Sequence, residues 1–525
     1  MIPRPCVPAF ALLAGAVFVT SAASAQYPSV PPPPPCHVVS SASKRAPSRS
    51  PAARSIGVVL FQNTATDPDD VFLGPSLGVR IIEDLLAEGP LSVVASRRFG
   101  YETVAAPVGA KAVGRSLGVR YILAAQVGRL ESGEVSIAAQ IRKSSDGTVI
   151  WTLSKTAAVR DLPALIAEVS RGVVGAVTES KPSTGATAAR LAEWSNPPVD
   201  ATVTHFLRGK YYTSLNTPPG YEAALAQFDS ASRSDPGFAK GFASSALTIA
   251  TMLEWGWWDY GESRVRALTE RGLGAADRAL QLDSTSADAW RARGALLSFQ
   301  NPKTYSGAFS AYTRALAYAP RDPTVHHWYG RALMQVGDRS AARRELTKAL
   351  ALAPGNADVI FDLARLDRHE GRPSEACVLL DSAIASTPTA AQAYVLRALT
   401  RAQRGELRFA WADAETGGRL GWPLWGRAAS AAIDAKARDT ASARERSAAL
   451  RKAVNTSGSS PTQWTGEYLA VALVASGESE RALDVLERAQ PRGARLWFAI
   501  TGPDFAPLRK SQRFRKLVAE SHPRR

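Results

Sequence analysis

Hydrophobic and polar positions along the chain change their period part-way. Residues 55–62, SIGVVLFQ, form the short unbroken apolar run of a buried strand. Apolar residues then recur at Leu77, Ile81 and Leu85, one helical turn apart, and Gly89 supplies a stop. LSVVASRR predicts a second strand and AKAVGRSLGV a second helix. The stretch from Arg120 to Thr156 predicts a strand meander turning at Glu131–Gly133 and Ser145–Gly147, where Asp146-Gly147 is a strong hairpin signal. A helix from Leu162 to Val177 completes a compact α/β unit over residues 55–178. Residues 179–200 turn polar and rich in Pro, Ser and Thr, as a linker does. Everything beyond is helical in pattern.

The helical part has a fixed period. Pro320, Pro354 and Pro388 stand 34 residues apart. Gly330, Ala364 and Ala398 share that interval, as do Gly337, Gly371 and Gly405, then Ala342, Ala376 and Ala410, and finally Ala315, Ala349 and Ala383. A helix–turn–helix unit of this length is the tetratricopeptide signature. Small residues let the two helices of a unit approach. Glycine at the turn relieves the strain of a helix stop, and proline ends the second helix for want of an amide donor. Tyr329, Leu333, Leu346, Leu363 and Leu380 are the expected filling. Looser copies extend the array to about seven or eight repeats over residues 201–490, with 491–525 as a cap and basic tail. The expected fold class is a small α/β domain followed by an all-α tetratricopeptide solenoid.

SIGVVLFQN, FLGPSLGVRIIEDL, LSVVASRRF, AKAVGRSLGVRYILAAQV and SDGTVIWTLS, in that order, resemble the TolB amino-terminal-like domain. That family occurs in bacterial envelope and signalling proteins, often ahead of tetratricopeptide repeats. The closing FAITGPDFAPLRKSQRFRKLVAE resembles the carboxy-terminal cap of the combined family. The resemblance implies a sensor-and-scaffold half, the family's output modules having no room before Ser55.

The first 25 residues read as a secretory leader: Arg4, an apolar core from about Phe10 to Val19, and Ala23-Ser24-Ala25 before a cleavage point. An uncleaved membrane anchor is the alternative. Export to the periplasm or envelope follows as the expectation, with no integral-membrane segment after cleavage. Residues 26–54 are rich in Pro, Ser and Arg, with few large apolar groups, and read as a disordered spacer. Cys36 and Cys377 would be the only thiols left. No disulfide framework is expected from them, and Cys377 reads as a small buried hydrophobe. The net charge of +16 is spread without a compact Lys/Arg run, which makes acidic partners plausible. The export signal weighs against nucleic acid.

Catalytic motifs are not found: no phosphate loop, no G-x-S-x-G elbow and no H-E-x-x-H. The expectation is therefore a non-enzyme with no cofactor and no metal. The acidic Asp67–Asp70 lacks calcium-loop spacing and reads as a solvated loop. His326 aligns with Ile360 and Tyr394, and His327 with Phe361 and Val395, so the period assigns the pair to packing and surface rather than to a metal. In this repeat class the inner face is lined by first-helix positions. Here those are Arg291, His327, Arg331, Gln335, Phe361, Arg365 and Arg368. Four arginines on one concavity would suit an acidic peptide or a chain-terminal carboxylate, the alternative being solvated helix faces. Trp255, Trp257, Trp258 and Tyr260 form an aromatic cluster, either a partner hot spot or a plug in a long inter-helix connection. The reading is an envelope scaffold for protein partners. Its rivals are a sensory protein with its output on another chain and an envelope hydrolase.

Overall fold

A computed structural model of the chain describes residues 35–36, 54–64, 67–88, 91–179, 199–255, 262–300, 305–455, 463–489 and 493–523. The expected leader, and all of the spacer except residues 35, 36 and 54, lie outside the described residues. So does the expected linker apart from its ends.

The amino-terminal part is a mixed sheet with helices on both faces. In chain order it holds β1 (Ser55–Leu60), β2 (Gln62–Asn63), α1 (Leu73–Glu88), β3 (Ser92–Gly100), α2 (Tyr101–Ala105), α3 (Pro107–Leu117), β4 (Tyr121–Arg129), β5 (Val135–Lys143), β6 (Val149–Ala157) and α4 (Leu162–Thr178). The strand order is β3-β1-β4-β5-β6, with β2 beside β4. β1 runs parallel to both neighbours, and β4, β5 and β6 form an antiparallel meander. Residue alternation sorts the core: Ile56, Val58, Leu123 and Ala125 face α1 and α4, while Val59, Ile122 and Ala124 face α2 and α3. Gly133 and Gly147 turn the meander with φ of 83° and 81°, a region glycine enters without steric cost. The short helix α2 carries no apolar period long enough to be read from sequence.

From Asp200 the chain forms eight helical hairpins among the described residues. Repeat 1 pairs Asp200–Ser214 with Pro218–Ser234, repeat 2 Ala239–Trp255 with Glu262–Leu282, and repeat 3 Ala287–Gln300 with Ser306–Tyr318. Repeat 4 pairs Pro323–Gln335 with Arg339–Leu352, repeat 5 Ala357–His369 with Pro373–Ser386, and repeat 6 Ala391–Arg404 with Leu407–Arg419. Repeats 7 (Pro423–Lys436, Thr440–Asn455) and 8 (Gln463–Ala475, Ser479–Arg488) follow. Helix Ala494–Ile500, a 3-10 turn Pro503–Lys510 and helix Gln512–Ser521 end the chain's described part.

The periodic residues do what their spacing implies. Ala342, Ala376 and Ala410 are fully buried where the helices of a hairpin cross. A Cβ at Gly330 would lie 2.8 Å from Leu346 of the partner helix, closer than packed carbon atoms tolerate. Some helix starts are capped by side chains: the Asp322 carboxylate accepts from the Thr324 amide at 2.7 Å, with Pro323 as first helical residue. Asn356 repeats this on Asp358 and Val359.

The α/β domain and the array share one core. Ile81, Leu85, Val169 and Val173 pack in one cluster with Phe206, Phe228 and Phe238 of repeat 1 and the loop beyond it. Polar contacts edge this junction, including Lys210 to Glu83 at 2.7 Å and the Arg160 amide to Asp200 at 2.9 Å.

Two sequence expectations are corrected here. Cys36 and Cys377 form a disulfide, their Cα atoms 5.9 Å apart although 341 residues separate them. Two lone thiols give no sign of such a bond in sequence, because only the tertiary fold brings the amino-terminal segment onto repeat 5. There the Cys36 amide donates to Asp381 at 2.7 Å, and Arg401 Nε lies 3.4 Å from its sulfur. Nor is the acidic loop uniformly solvated. Asp70 is buried and accepts a bidentate pair from Arg129 at 2.7 and 3.0 Å, which holds the loop against the end of β4.

Candidate functional site

The first helices of repeats 3–5 carry the residues on which a partner was expected. The chain itself covers much of the surface around them. At repeats 1–3 the cover is α1, whose Glu83 pairs with Lys210 and lies within electrostatic reach of Lys240, Asp288 and Arg291. At repeats 2–5 and 8 the cover is the segment after Gly493. Ala494 packs with Tyr305 and Ala332, Phe498 with Leu333, Met334 and Leu366, and Leu496 and Ile500 with repeat 8.

The expected open groove of arginines is therefore corrected to a set of internal ion pairs. Arg291 donates to Asp288 at 2.8 Å within its own helix. Arg331 Nε donates to Asp362 at 2.7 Å while its Nη1 lies 3.3 Å from Glu254, which also binds Arg495 of the terminal segment. Arg365 stands 3.6 Å from Asp362, with its guanidinium 5.7 Å above the Phe361 ring and 5.3 Å from that of Phe498. Arg368 pairs with Asp504. His327 Nε2 is 2.8 Å from Asp362, and Gln335 accepts from the Tyr305 hydroxyl at 3.0 Å. His327, Arg331, Gln335, Phe361 and Arg368 are all more than nine-tenths buried. The physical reason is electrostatic: the arginines are neutralised by Asp288, Glu254, Asp362 and Asp504, acids that come from other turns, other repeats and the chain end. His326 is likewise buried, its ring nitrogens 2.6 Å from Glu345 and 3.0 Å from the Pro320 carbonyl.

Titration in this region follows from the pairing. Burial alone would raise the Asp362 carboxyl, but Arg331, His327 and Arg365 hold it well below the usual carboxylate range. His369 stacks on Phe498 with ring centroids 4.5 Å apart, and its Nε2–H donates to the Phe498 carbonyl at 2.9 Å. Burial, with Arg339, Arg365 and Arg368 nearby, lowers its pKa to about 4 and outweighs the hydrogen bond. A cavity of about 60 Å³ remains between repeats 5–8 and the terminal segment, lined by Phe361, Arg365, Arg368, Trp425, Glu467 and Tyr468 among others. Burial pushes the Glu467 carboxyl up to about 7 against the pull of the two arginines.

Of the aromatic cluster, Trp257, Trp258 and Tyr260 lie outside the described residues, and Trp255 is the last residue of its helix. Sequence reasoning missed a second buried network. Arg397 makes a two-pronged contact to Asp413 at 2.9 and 2.6 Å and reaches Asp381 at 2.7 Å, and Arg401 joins Asp413 at 2.9 Å. The available signal was the pair of arginines four apart, on apolar-period positions of one helix. Among the described residues no group of three or more His, Cys, Asp or Glu is placed to hold a metal ion. No helix among them is long and apolar enough to cross a membrane.

Comparison with known proteins places a tetratricopeptide-repeat family model on residues 333–400, across repeats 4–6. Over 132 residues, 25% of this chain, the sequence is 31% identical to a curated protein of Rhizobium meliloti (strain 1021) named "Putative adenylate cyclase 3". The match spans 22% of that relative's length. Similar solved structures include yeast Tom70, at 14% identity over 61% of this chain and 67% of that one, with a TM-score of 0.39. TTC0263, a tetratricopeptide protein of Thermus thermophilus, is similar at 21% identity over 38% of this chain and 98% of its own, with a TM-score of 0.32.

Proposed function

We propose that this chain is a non-catalytic scaffold for protein partners in the bacterial envelope. The observation that carries the reading is the stack of eight hairpins, built on the 34-residue period and continuous with the α/β domain. Such stacks present long surfaces whose shape is set by small residues at each crossing. The strand and helix order of residues 55–178 supports a TolB-like identity for the α/β domain. Export is supported by the leader-like residues 1–25 and by the Cys36–Cys377 bond, a linkage that persists chiefly in oxidising compartments. The acidic-ligand idea takes a narrower form. Because Asp504 already pairs with Arg368, a partner's carboxylate would enter the inner face by displacing the chain's own terminal segment.

The test is cross-linking in intact cells with mass spectrometry of what is captured, on the wild type and on Ala376→Trp, which overfills a hairpin crossing. A defined protein captured by the first and lost by the second supports the reading. Equal capture by both overturns it. The cyclase-named relative favours a second reading, a signalling protein whose output module is on another chain. Formation of cyclic nucleotide from ATP by the purified chain would overturn the non-catalytic assignment.

A further inference from the structure

A separate pocket of about 380 Å³ opens between the second helices of repeats 1 and 2 and is floored by the first helix of repeat 2. That volume lies within the roughly 300–1,000 Å³ of small-ligand sites. Its floor is apolar: Phe242, Ile249 and Ala275. Its rim is cationic: Arg233, Arg271 and Arg278 are all exposed and stand against the single carboxylate of Asp229. Arg271 pairs with Asp229. Arg233 reaches the Ser230 hydroxyl at 2.8 Å, and Arg278 the Gln281 amide oxygen and the Pro236 carbonyl, each at 3.4 Å, with its guanidinium 6.0 Å from the Phe242 ring centroid. Neither has a carboxylate partner among the described residues, so the rim carries excess positive charge. Ser232, 8% exposed, also borders the pocket, with its hydroxyl turned against Gly241. One wall position is bare: a Cβ at Gly274 would meet no atom within 4 Å.

We propose that this pocket binds a carboxylate carried on an apolar body, the body on Phe242 and Ile249 and the carboxylate between Arg233 and Arg278. Guanidinium–carboxylate pairing is short, directional and stronger than neutral hydrogen bonding. The site lies apart from the buried arginine network of repeats 3–5 and stands independently of the scaffold reading. Two sources share this chemistry: a free aromatic or aliphatic acid, and the last residue of a protein chain.

The test is isothermal titration of the full chain with 2-naphthoate, with 2-naphthamide, and with the tripeptide Ac-Ala-Ala-Phe as free acid and as amide. Saturable binding is expected for at least one of the two acids, with its amide weaker by at least about tenfold. Tighter binding of the tripeptide identifies a chain end as the source, and tighter binding of naphthoate a free acid. Gly274→Leu should abolish binding by filling the pocket, while the melting temperature stays level or rises, because leucine suits a helix interior better than glycine. Arg233→Gln and Arg278→Gln should each weaken binding several-fold, and Asp229→Asn should strengthen it by removing the internal competitor. Acid and amide binding alike, undiminished affinity in Gly274→Leu, or no saturable binding of either acid at millimolar concentration would overturn the proposal.

Discussion

Arg331 and Asp362 meet at 2.7 Å, guanidinium Nε to carboxylate Oδ2, in a part of the molecule where both are more than nine-tenths buried. They belong to the first helices of successive repeats, so the pair ties repeat 4 to repeat 5 where a partner had been expected. Removing one member strips the other of its shortest ion pair in a dry setting, leaving Arg331 to Glu254 alone or Asp362 to His327 and the more distant Arg365. Arg331→Gln or Asp362→Asn should each destabilise by about 3–5 kcal/mol. The double change Arg331→Met with Asp362→Leu should cost clearly less than the two single losses together. Denaturant midpoints for the four proteins measure this, and simple additivity would refute the coupling.

The same pair sets an acid limit. Asp362 titrates lower in the folded chain than in the unfolded one, so its contribution is complete above the unfolded value near pH ~4 and drains away as the pH falls below it. The melting temperature of Asp362→Asn should therefore lie below that of the wild type at pH 7, with the gap narrowing as the pH falls below 4. A gap constant across that range would contradict the assignment.

Glu467 has the opposite sign. Its carboxyl is raised to about 7, above the ordinary glutamate value, so ionisation costs stability as the pH rises through the interval between them. Glu467→Gln should leave stability near that of the wild type at pH 4 and exceed it at pH 8 by on the order of 2 kcal/mol, allowing for partial solvent access. A stabilisation that does not grow with pH would refute this.

Gly337 and Gly371 occupy the same turn in consecutive repeats, with φ of 82° and 77°. Alanine at either should cost roughly 1–2 kcal/mol of backbone strain. Only at Gly337 would the new Cβ also lie 2.7 Å from the Trp497 ring, whereas at Gly371 it meets nothing within 4 Å. Gly337→Ala should thus lose more stability and expose the terminal segment to protease, and Gly371→Ala should show backbone cost alone. Limited proteolysis and melting curves read the difference.

The period was legible because each hairpin solves the same packing problem with the same small residues. Gly330, Ala342 and Gly337 would be recognisable in any one repeat, and the repetition made them certain. The first strand of the α/β domain was readable for a different reason: β1 is an unbroken apolar run because helices cover both faces of the sheet. What fills the inner face was not readable. Asp504 approaches Arg368 from 136 residues away, and Cys36 meets Cys377 from 341. Contacts between segments this distant leave no period, and burial of an arginine looks in sequence like exposure of one.

The disulfide predicts a simple count. After exchange to a chain lacking Cys6, the denatured, unreduced protein should offer no thiol to Ellman's reagent and the reduced protein two. Two reactive thiols before reduction would exclude the bond.

The junction at Phe206, Phe228 and Phe238 makes the order of synthesis matter. The α/β domain leaves the ribosome before any hairpin and carries part of the apolar face that repeat 1 requires. It thus acts as a starting block from which the helical stack can grow in one direction. A chain shortened to begin at Val199 would present those three rings to water and should aggregate, even though every repeat it still contained was intact.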